Sequence, residues 1–446
     1  ALGEPGVVGP RPAAVGGASY GLCSAEVLRV PLGARGAASL HIHGAGAFPW
    51  ADVAGRRWLR VEVLLFVSTT DGCVRMTTYG KTADVRQYYS HALTLPEAHL
   101  LQWRCVVPAA GSAAPRGYAA HAFSPYGYDS MLYCDVPAEA GAAAALPLLL
   151  EAEGLPGWSS PPVRLCPLPP RGERRLHVAA CTQPLHSFAK LGTLAPGLLE
   201  EFIEYHALLG VEHFTIFDAD GSFADALAGY VASGLVDYVG RWPERFGGEP
   251  YARMADDGGP EPDHWRPILL EVEAENHCLW RYRGRADWVV VLHSPDEYLH
   301  VPAAPAGPGA LRHFLEPLGA RRGAISHVEL RQVLYGGPPQ EGPSVLGRYL
   351  LRESGEAAAR TVPHTMIANP DNVGLAGVHP ARPRPGVPGE DPALVVRADP
   401  LADIRVNHYI NAIGRPRCGP GLCNTPDGSA LWAADHWRAR LAEAGA

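Results

Sequence analysis

Residues 287–302 read DWVVVLHSPDEYLHVP, and the rest of the chain is read outward from them. From Trp288 to His293 the run is almost entirely apolar, with three valines in succession. That composition suits a strand buried on both faces, as in a parallel sheet. The run stops at Ser294 and Pro295, and the first residues beyond it are Asp296 and Glu297. A buried strand ending in carboxylates puts acids at the carboxyl edge of a sheet, where open α/β folds bind ligands. A strand followed by a solvated acidic turn is the alternative, and the flanking sequence has to decide between them.

Upstream, residues 177–185 (HVAACTQPL) are strand-like, and residues 196–210 carry apolar side chains at 198, 199, 202, 203 and 209. Pro196 near the start of that segment and Gly210 at its end supply the stop and start signals of an amphipathic helix. Residues 211–220 (VEHFTIFDAD) form the next expected strand, 223–234 a helix, 235–242 a strand, and 268–284 the helix leading into the opening stretch. Such alternation predicts a right-handed parallel α/β sheet. It also brings Asp218 and Asp220, which follow the run FTIF, to the same edge as Asp296 and Glu297. Downstream, residues 309–318 are expected as a helix, 324–336 as one strand, 381–400 as irregular, 402–410 as the last strand and 430–445 as a terminal helix.

Ahead of the α/β region the rhythm differs. Residues 1–20 are rich in Gly, Pro and Ala and read as a tether. Short β-branched or aromatic runs at 59–70, 73–80, 100–108 and 130–137 predict an all-β sandwich over residues 21–150. Residues 151–175 read as a linker, and 176–446 as the α/β domain. Trp50, Trp58, Trp103, Tyr118, Tyr126 and Tyr128 suit either core packing or stacking on sugar rings.

Bulk properties narrow the function classes. A chain of 446 residues is long enough for two or three domains. With 47% hydrophobic and 19% charged residues it is globular, and a formal net charge of -8 argues against a surface that tracks nucleic-acid phosphates. The nine cysteines include no C-x-x-C pair, which removes zinc-ribbon and thioredoxin-like readings. Cys418 and Cys423 look like a small loop closed by a disulfide, the odd count leaves a free thiol, and the pattern fits an oxidising compartment. No run of 18 apolar residues is present, and the start at Ala1 leads us to expect an upstream segment such as a removed signal or a membrane anchor. The phosphate-cradling G-x-x-x-x-G-K, the dinucleotide G-x-G-x-x-G after the first strand, the nucleophile elbow G-x-S-x-G and the zinc motif H-E-x-x-H are all absent.

Carboxylate oxygens at the sheet edge suit Mg²⁺ or Mn²⁺, which keep one or two protein carboxylates and bind substrate phosphates. His408, in the late run VNHYI, would add a nitrogen ligand and favour Mn²⁺. Its other reading is a partly buried structural histidine.

Taken in order, these segments resemble glycosyltransferase family 92. The resemblance rests on Cys181 and Pro184 near the first strand, EEFIEYHALLGVEHFTIFDADGS, ENHCLWRYRGRADWVVVLHSPDEYLHVP, and the late His408-Tyr409 pair. It covers residues 176 to about 415. The resemblance implies a GT-A (Rossmann-like, nucleotide-sugar-binding) fold and an inverting, metal-dependent transfer from a UDP-sugar, galactose being the best guess, to a glycan or glycoprotein acceptor. It also implies a Golgi-lumenal enzyme with a type II membrane anchor, and a homodimer is a further expectation. A β-rich domain ahead of the transferase is similar to the layout of plant β-1,4-galactan synthases of that family, in which a carbohydrate-binding module comes first. In the family's D-x-D-E-[FY] motif the first aspartate is here Ser294, a neutral and weaker ligand. Carried onto these residues, the metal would be held by Asp296 and His408, and the nucleotide sugar would meet Asp218, Asp220, Ser294 and Glu297. Glu329 or Asp371 would serve as general base. Ser294 favours a rival reading, a carbohydrate-binding or scaffold protein on a degenerate transferase fold.

Overall fold

A computed structural model describes residues 26–31, 37–51, 56–69, 73–78, 81–86, 103–107, 116–123, 130–137, 149–152, 158–163, 165, 175–240, 242, 266–360, 362–376, 381–383, 395–414, 418–419 and 421–445. The expected tether at 1–20, Tyr126, Tyr128 and most of the proline-flanked loop 243–267 lie outside them.

The first unit contains β1 (Glu26–Pro31), β2 (Ala37–Ala51), β3 (Arg57–Thr69), β4 (Cys73–Thr78), β5 (Lys81–Arg86), β6 (Trp103–Val107), β7 (Arg116–Ala119), β8 (His121–Phe123), β9 (Ser130–Pro137) and β10 (Leu149–Ala152). The strands form one sheet in the order β1-β2-β3-β9-β8, a second in the order β10-β6-β7, and the hairpin β4-β5. Alternation along the strands explains the packing: Val61 and Val63 of β3 and Leu132, Cys134 and Val136 of β9 share a core with Trp103 and Cys105 of β6 and Leu150 of β10. A disulfide between Cys105 and Cys134 ties the two sheets together. Val163 belongs to the same core and Leu165 packs on it, so the packed residues of this unit run past 150 into the stretch read as linker.

The second unit follows with β11 (Leu176–Thr182), α1 (Phe188–Leu194), α2 (Leu198–Leu209), β12 (His213–Phe217), α3 (Ala224–Ala232), β13 (Val236–Val239), α4 (Arg266–Tyr282) and β14 (Ala286–Leu292). Next come β15 (Glu297–His300), α5 (Ala310–Gly319), β16 (His327–Leu330), β17 (Gln332–Gly336), α6 (Val345–Arg348), β18 (Leu351–Glu353) and α7 (Gly355–Arg360). The chain continues through β19 (Thr365–Ala368), β20 (Val373–Ala376), β21 (Ala381–Pro383), β22 (Val395–Arg397), β23 (Arg405–His408), β24 (Cys423–Pro426) and α8 (Leu431–Gly445). The helix expected over 196–210 is α2, ended by Gly210 at φ 117°, a left-handed backbone that glycine adopts without a Cβ clash.

A seven-stranded sheet in the order β13-β12-β11-β14-β19-β16-β22 forms the centre. Its first four strands are parallel, as the βαβ alternation predicts, and β19 enters antiparallel between β14 and β16. Strand β14 is buried on both faces. Trp288, Val290 and Leu292 join one core with Phe202 and Ile203 of α2, while Val289 and Val291 join another with Ala274, Cys278 and Leu279 of α4. Cys181 of β11 is disulfide-bonded to Cys278, fastening α4 to the sheet.

Two expectations change here. Residues 324–336 are not one strand: β16 pairs with β19 in the main sheet, whereas β17 leaves after Arg331 to pair with β23. Two polar residues in succession, Arg331 and Gln332, shift the apolar phase there from Val328 and Leu330 to Val333 and Tyr335, and the partner strand changes with it. Within residues 381–400, where expectation placed irregular chain, β21 pairs with β20 and β22 lies alongside β16. The second sheet, β15-β23-β17-β18-β24, stands at the end of β14 and carries the late strand of the sequence back to its opening stretch. The small loop Cys418–Cys423 is closed by a disulfide.

One buried ion pair joins the two units. Arg283, after α4, donates from Nη1 to the carboxylate of Glu62 on β3 and from its other nitrogens to the carbonyls of Pro370 and Val373, both at 3.1 Å. Among the described residues no helix is long and apolar enough to cross a membrane.

Candidate active site

Between β14 and β15 the chain makes a turn that is closed from within. The Glu297 N–H donates to the Ser294 carbonyl at 3.1 Å, and the His293 N–H donates to Glu297 Oε2 at 2.8 Å. Pro295 removes a donor inside the turn, and Ser294 donates its hydroxyl to Asp296 Oδ1. Asp296 and Glu297 are consequently buried, at 0% and 1% exposure, which excludes the solvated acidic turn.

Antiparallel pairing then delivers His408. Glu297 stands opposite His408 in the β15–β23 ladder, and the Tyr409 N–H donates to the Asp296 carbonyl at 2.8 Å. His408 Nε2 comes to 3.2 Å from Asp296 Oδ2. On the other side of the ring, His408 Nδ1 faces Gln332 Oε1 at 2.7 Å. A donor at Nδ1 leaves a lone pair on Nε2, the tautomer in which histidine binds metals. Asp296 Oδ2 has no hydrogen-bond partner although it is buried. Two acceptors facing each other at this distance repel unless a cation or proton stands between them. Their 3.2 Å separation matches neighbouring ligands of an octahedral ion, about 3 Å apart for bonds of about 2.1 Å. The residues present therefore fit a Mn²⁺ or Mg²⁺ ion.

Next to this pair lies a second polar cluster. Glu297 Oε1 is 2.7 Å from His364 Nε2 and 3.5 Å from His293 Nδ1. Burial pushes the Glu297 carboxyl up, but the charge and hydrogen bonding of the two imidazoles outweigh it and hold the group well below the usual carboxylate range. His293 Nε2 is 3.8 Å from Glu275 Oε1, which also accepts from Gln183 Nε2 at 2.8 Å. His364 and His408 stand with ring centroids 5.5 Å apart. His364 and Gln332 lie outside the segments that carry the resemblance, and Glu275 and His293 lie inside them without being marked by spacing as site residues. They come from separate elements and could be found only once those elements were packed.

Parallel strands bring the remaining carboxylates to this edge in different conditions. Asp218 ends β12 at 0% exposure and accepts from the N–H groups of Asp220, Gly221 and Phe223 and from the Tyr238 hydroxyl, at 3.1, 2.9, 2.8 and 2.7 Å. Four donors fill a carboxylate, so Asp218 is committed to shaping the loop 218–223. Burial pushes its carboxyl up from the ordinary value. The exposed Asp220 projects from that loop and accepts from the Ser187 N–H at 2.8 Å. Ser187 itself holds a left-handed backbone at φ 60°, a conformation that costs energy outside glycine.

The two candidate bases part company. Asp371 accepts from Arg175 at 2.6 Å, Arg322 at 3.2 Å and the Gly284 N–H at 2.8 Å, and Arg175 also pairs with Asp287 at 2.6 Å. Asp287 is at the entry of β14, whose length puts it roughly 17 Å from the exit. Asp371 thus belongs to an ion-pair network at the opposite edge of the sheet and is not a base for this site. It follows β19, and β19 runs against β14. Glu329 is one residue from the carboxyl end of β16, on the correct edge, with Arg397 Nε 3.4 Å from its carboxylate.

The fold and the paired acids make this an α/β domain consistent with glycosyl transfer, and the glycosyltransferase family 92 model matches residues 177–322, from β11 to just beyond α5. That match spans about a third of the chain and supports a glycosyltransferase domain over those residues. A glycosyltransferase domain implies a sugar donor and an acceptor as substrates. The match includes His293, Asp296 and Glu297 and ends ahead of Glu329, His364 and His408. No curated protein and no solved structure matches the chain.

Proposed function

We propose that the chain transfers a sugar, galactose being the best guess, from a UDP-sugar to a glycan or glycoprotein acceptor with inversion at the anomeric carbon. The observation that carries this reading is the buried pair Asp296 Oδ2 and His408 Nε2, 3.2 Å apart at the carboxyl edge of the central sheet of a family 92 domain. Asp296 and His408 would hold Mn²⁺, or Mg²⁺. The ion supplies positive charge against the diphosphate as it leaves. Ser294 fixes the Asp296 carboxylate by donating to Oδ1, so the hydroxyl orients the ligand where the family's motif has a second acid. Asp220, exposed on the loop that Asp218 shapes, is the group offered to the ribose or uracil. Glu329 is the candidate to take the acceptor hydroxyl proton as that oxygen attacks. The reading extends to a Golgi-lumenal, membrane-anchored enzyme, a homodimer, and a sugar-binding role for the first unit.

The test is a screen of common UDP-sugars with purified protein and Mn²⁺. Transfer to a galacto-oligosaccharide or release of UDP supports the enzyme; neither from any donor refutes it. Ser294 favours one second reading, a transferase-like protein that binds without turnover. Titration of UDP with Mn²⁺ separates the two, because binding without release of product supports only the second.

A further inference from the structure

We propose that His293, Glu297 and His364 form a second cation site, for Zn²⁺ or a similar divalent transition-metal ion, separate from the Asp296–His408 pair. One nitrogen from each ring and one oxygen of Glu297 lie within 4.8 Å of one another. The arrangement at Glu297 is asymmetric. Oε2 is held by the His293 backbone N–H at 2.8 Å, whereas Oε1 is the oxygen turned to both imidazoles, at 2.7 and 3.5 Å. Glu297 is 1% exposed and His364 8% exposed, so water is largely kept from the carboxylate.

Two imidazoles and a carboxylate are a donor set for zinc and its neighbours, and are a poorer match for Mg²⁺ or Ca²⁺, which take oxygen ligands. The outer contacts support the same chemistry. A metal-bound histidine turns its second nitrogen toward a carboxylate, which orients the ring and raises its basicity. His293 Nε2 faces Glu275 at 3.8 Å, and Gln183 in turn holds Glu275 at 2.8 Å. These contacts connect four segments: the end of β11, helix α4, the turn after β14 and the residue before β19. The ion would therefore fasten the turn that presents Asp296. It would do so whether or not the Asp296 pair binds Mn²⁺.

The experiment uses the full chain, loaded with Zn²⁺, passed through a desalting column and analysed for metal by mass spectrometry. One retained equivalent of zinc is expected. His364→Ala and Glu297→Gln, confirmed folded by circular dichroism, should lose it, and Asp296→Asn should keep it. Co²⁺ added to folded Asp296→Asn protein should give visible bands of a low-coordinate imidazole site, a readout that needs no change to the three ligands. No retained zinc in the wild type, zinc lost in Asp296→Asn but kept in His364→Ala, or a Co²⁺ spectrum like that of the free aqueous ion would each overturn the site.

Discussion

Asp296 Oδ2 and His408 Nε2 lie 3.2 Å apart although 112 positions separate them in the chain, because β23 pairs antiparallel with β15 directly after the turn that holds Asp296. Both atoms act as acceptors once Gln332 has engaged the other nitrogen of the ring. Asp296→Asn and His408→Ala should each abolish Mn²⁺-dependent UDP binding, read by calorimetry, while leaving the melting temperature in the absence of metal unchanged or higher. Unaltered UDP affinity in both would remove the pair from the site.

Ser294 orients Asp296 by a hydroxyl donated to Oδ1. Removing such a partner of a metal ligand typically lowers metal affinity about 10- to 100-fold. Ser294→Ala should weaken Mn²⁺ binding by that order, and Ser294→Asp should strengthen it if the added carboxylate reaches the ion. Electron paramagnetic titration of free Mn²⁺ reports both. An unchanged affinity in Ser294→Ala would leave the hydroxyl without a role at the metal.

His206 is fully buried, with Nδ1 facing the Phe202 carbonyl at 2.8 Å and Nε2 accepting from the Leu299 N–H at 3.2 Å. That geometry has room for one proton only, and burial lowers the ring's pKa to about 4. The unfolded ring titrates near 6.5. Its folded value is depressed, so its contribution is present above pH 6.5 and lost as pH falls toward 4, where the unfolded state binds the extra proton. The loss is roughly 3 kcal/mol at about 1.4 kcal/mol per pH unit. Urea unfolding at pH 7 and pH 4 should show it, and His206→Phe should have the shallower dependence. Parallel curves would assign the acid sensitivity to other groups.

The Cys181–Cys278 disulfide closes a loop with a sequence separation of 97 and fastens α4 beneath the sheet. Loop-closure entropy puts its worth at about 4–5 kcal/mol in the chain-entropy treatment. Cys181→Ser should lower the unfolding midpoint accordingly, and reductant should lower it further in the wild type than in the variant, which keeps Cys105–Cys134 and Cys418–Cys423 but not this bond.

At the joint between the two units, Glu62 and Arg283 are 0% and 5% exposed. Deleting one partner leaves a buried charge and costs about 3–5 kcal/mol. Glu62→Gln should destabilise by that order, and the double variant Glu62→Gln with Arg283→Met should recover part of it. Limited proteolysis of the full chain should accelerate in the single variant alone.

Much of this architecture is legible in the chain. The apolar run of β14, the spacing of α2 and the βαβ alternation follow from local period and end signals, and they give the parallel half of the sheet and the edge at which Asp218 and Asp296 stand. Local pattern also finds strands β3, β4, β6 and β9. It does not find β2, whose alanines and glycines carry little strand signal, and it carries one strand through the break at Arg331, although the polar pair Arg331-Gln332 shifts the apolar phase where the pairing partner changes.

The sequence by itself determined that a buried strand ends in two acids and that a late His408-Tyr409 follows. Only the tertiary structure decided what those residues can do. Strand direction sent Asp371 to the far edge, four donors consumed Asp218, and a strand pairing set His408 against Asp296. Packing then gathered His293, His364 and Glu275 around Glu297. Local sequence fixes where a side chain sits along its element. Which side chains meet depends on long-range pairing and on the satisfaction of buried polar atoms, and neither leaves a periodic mark in the chain.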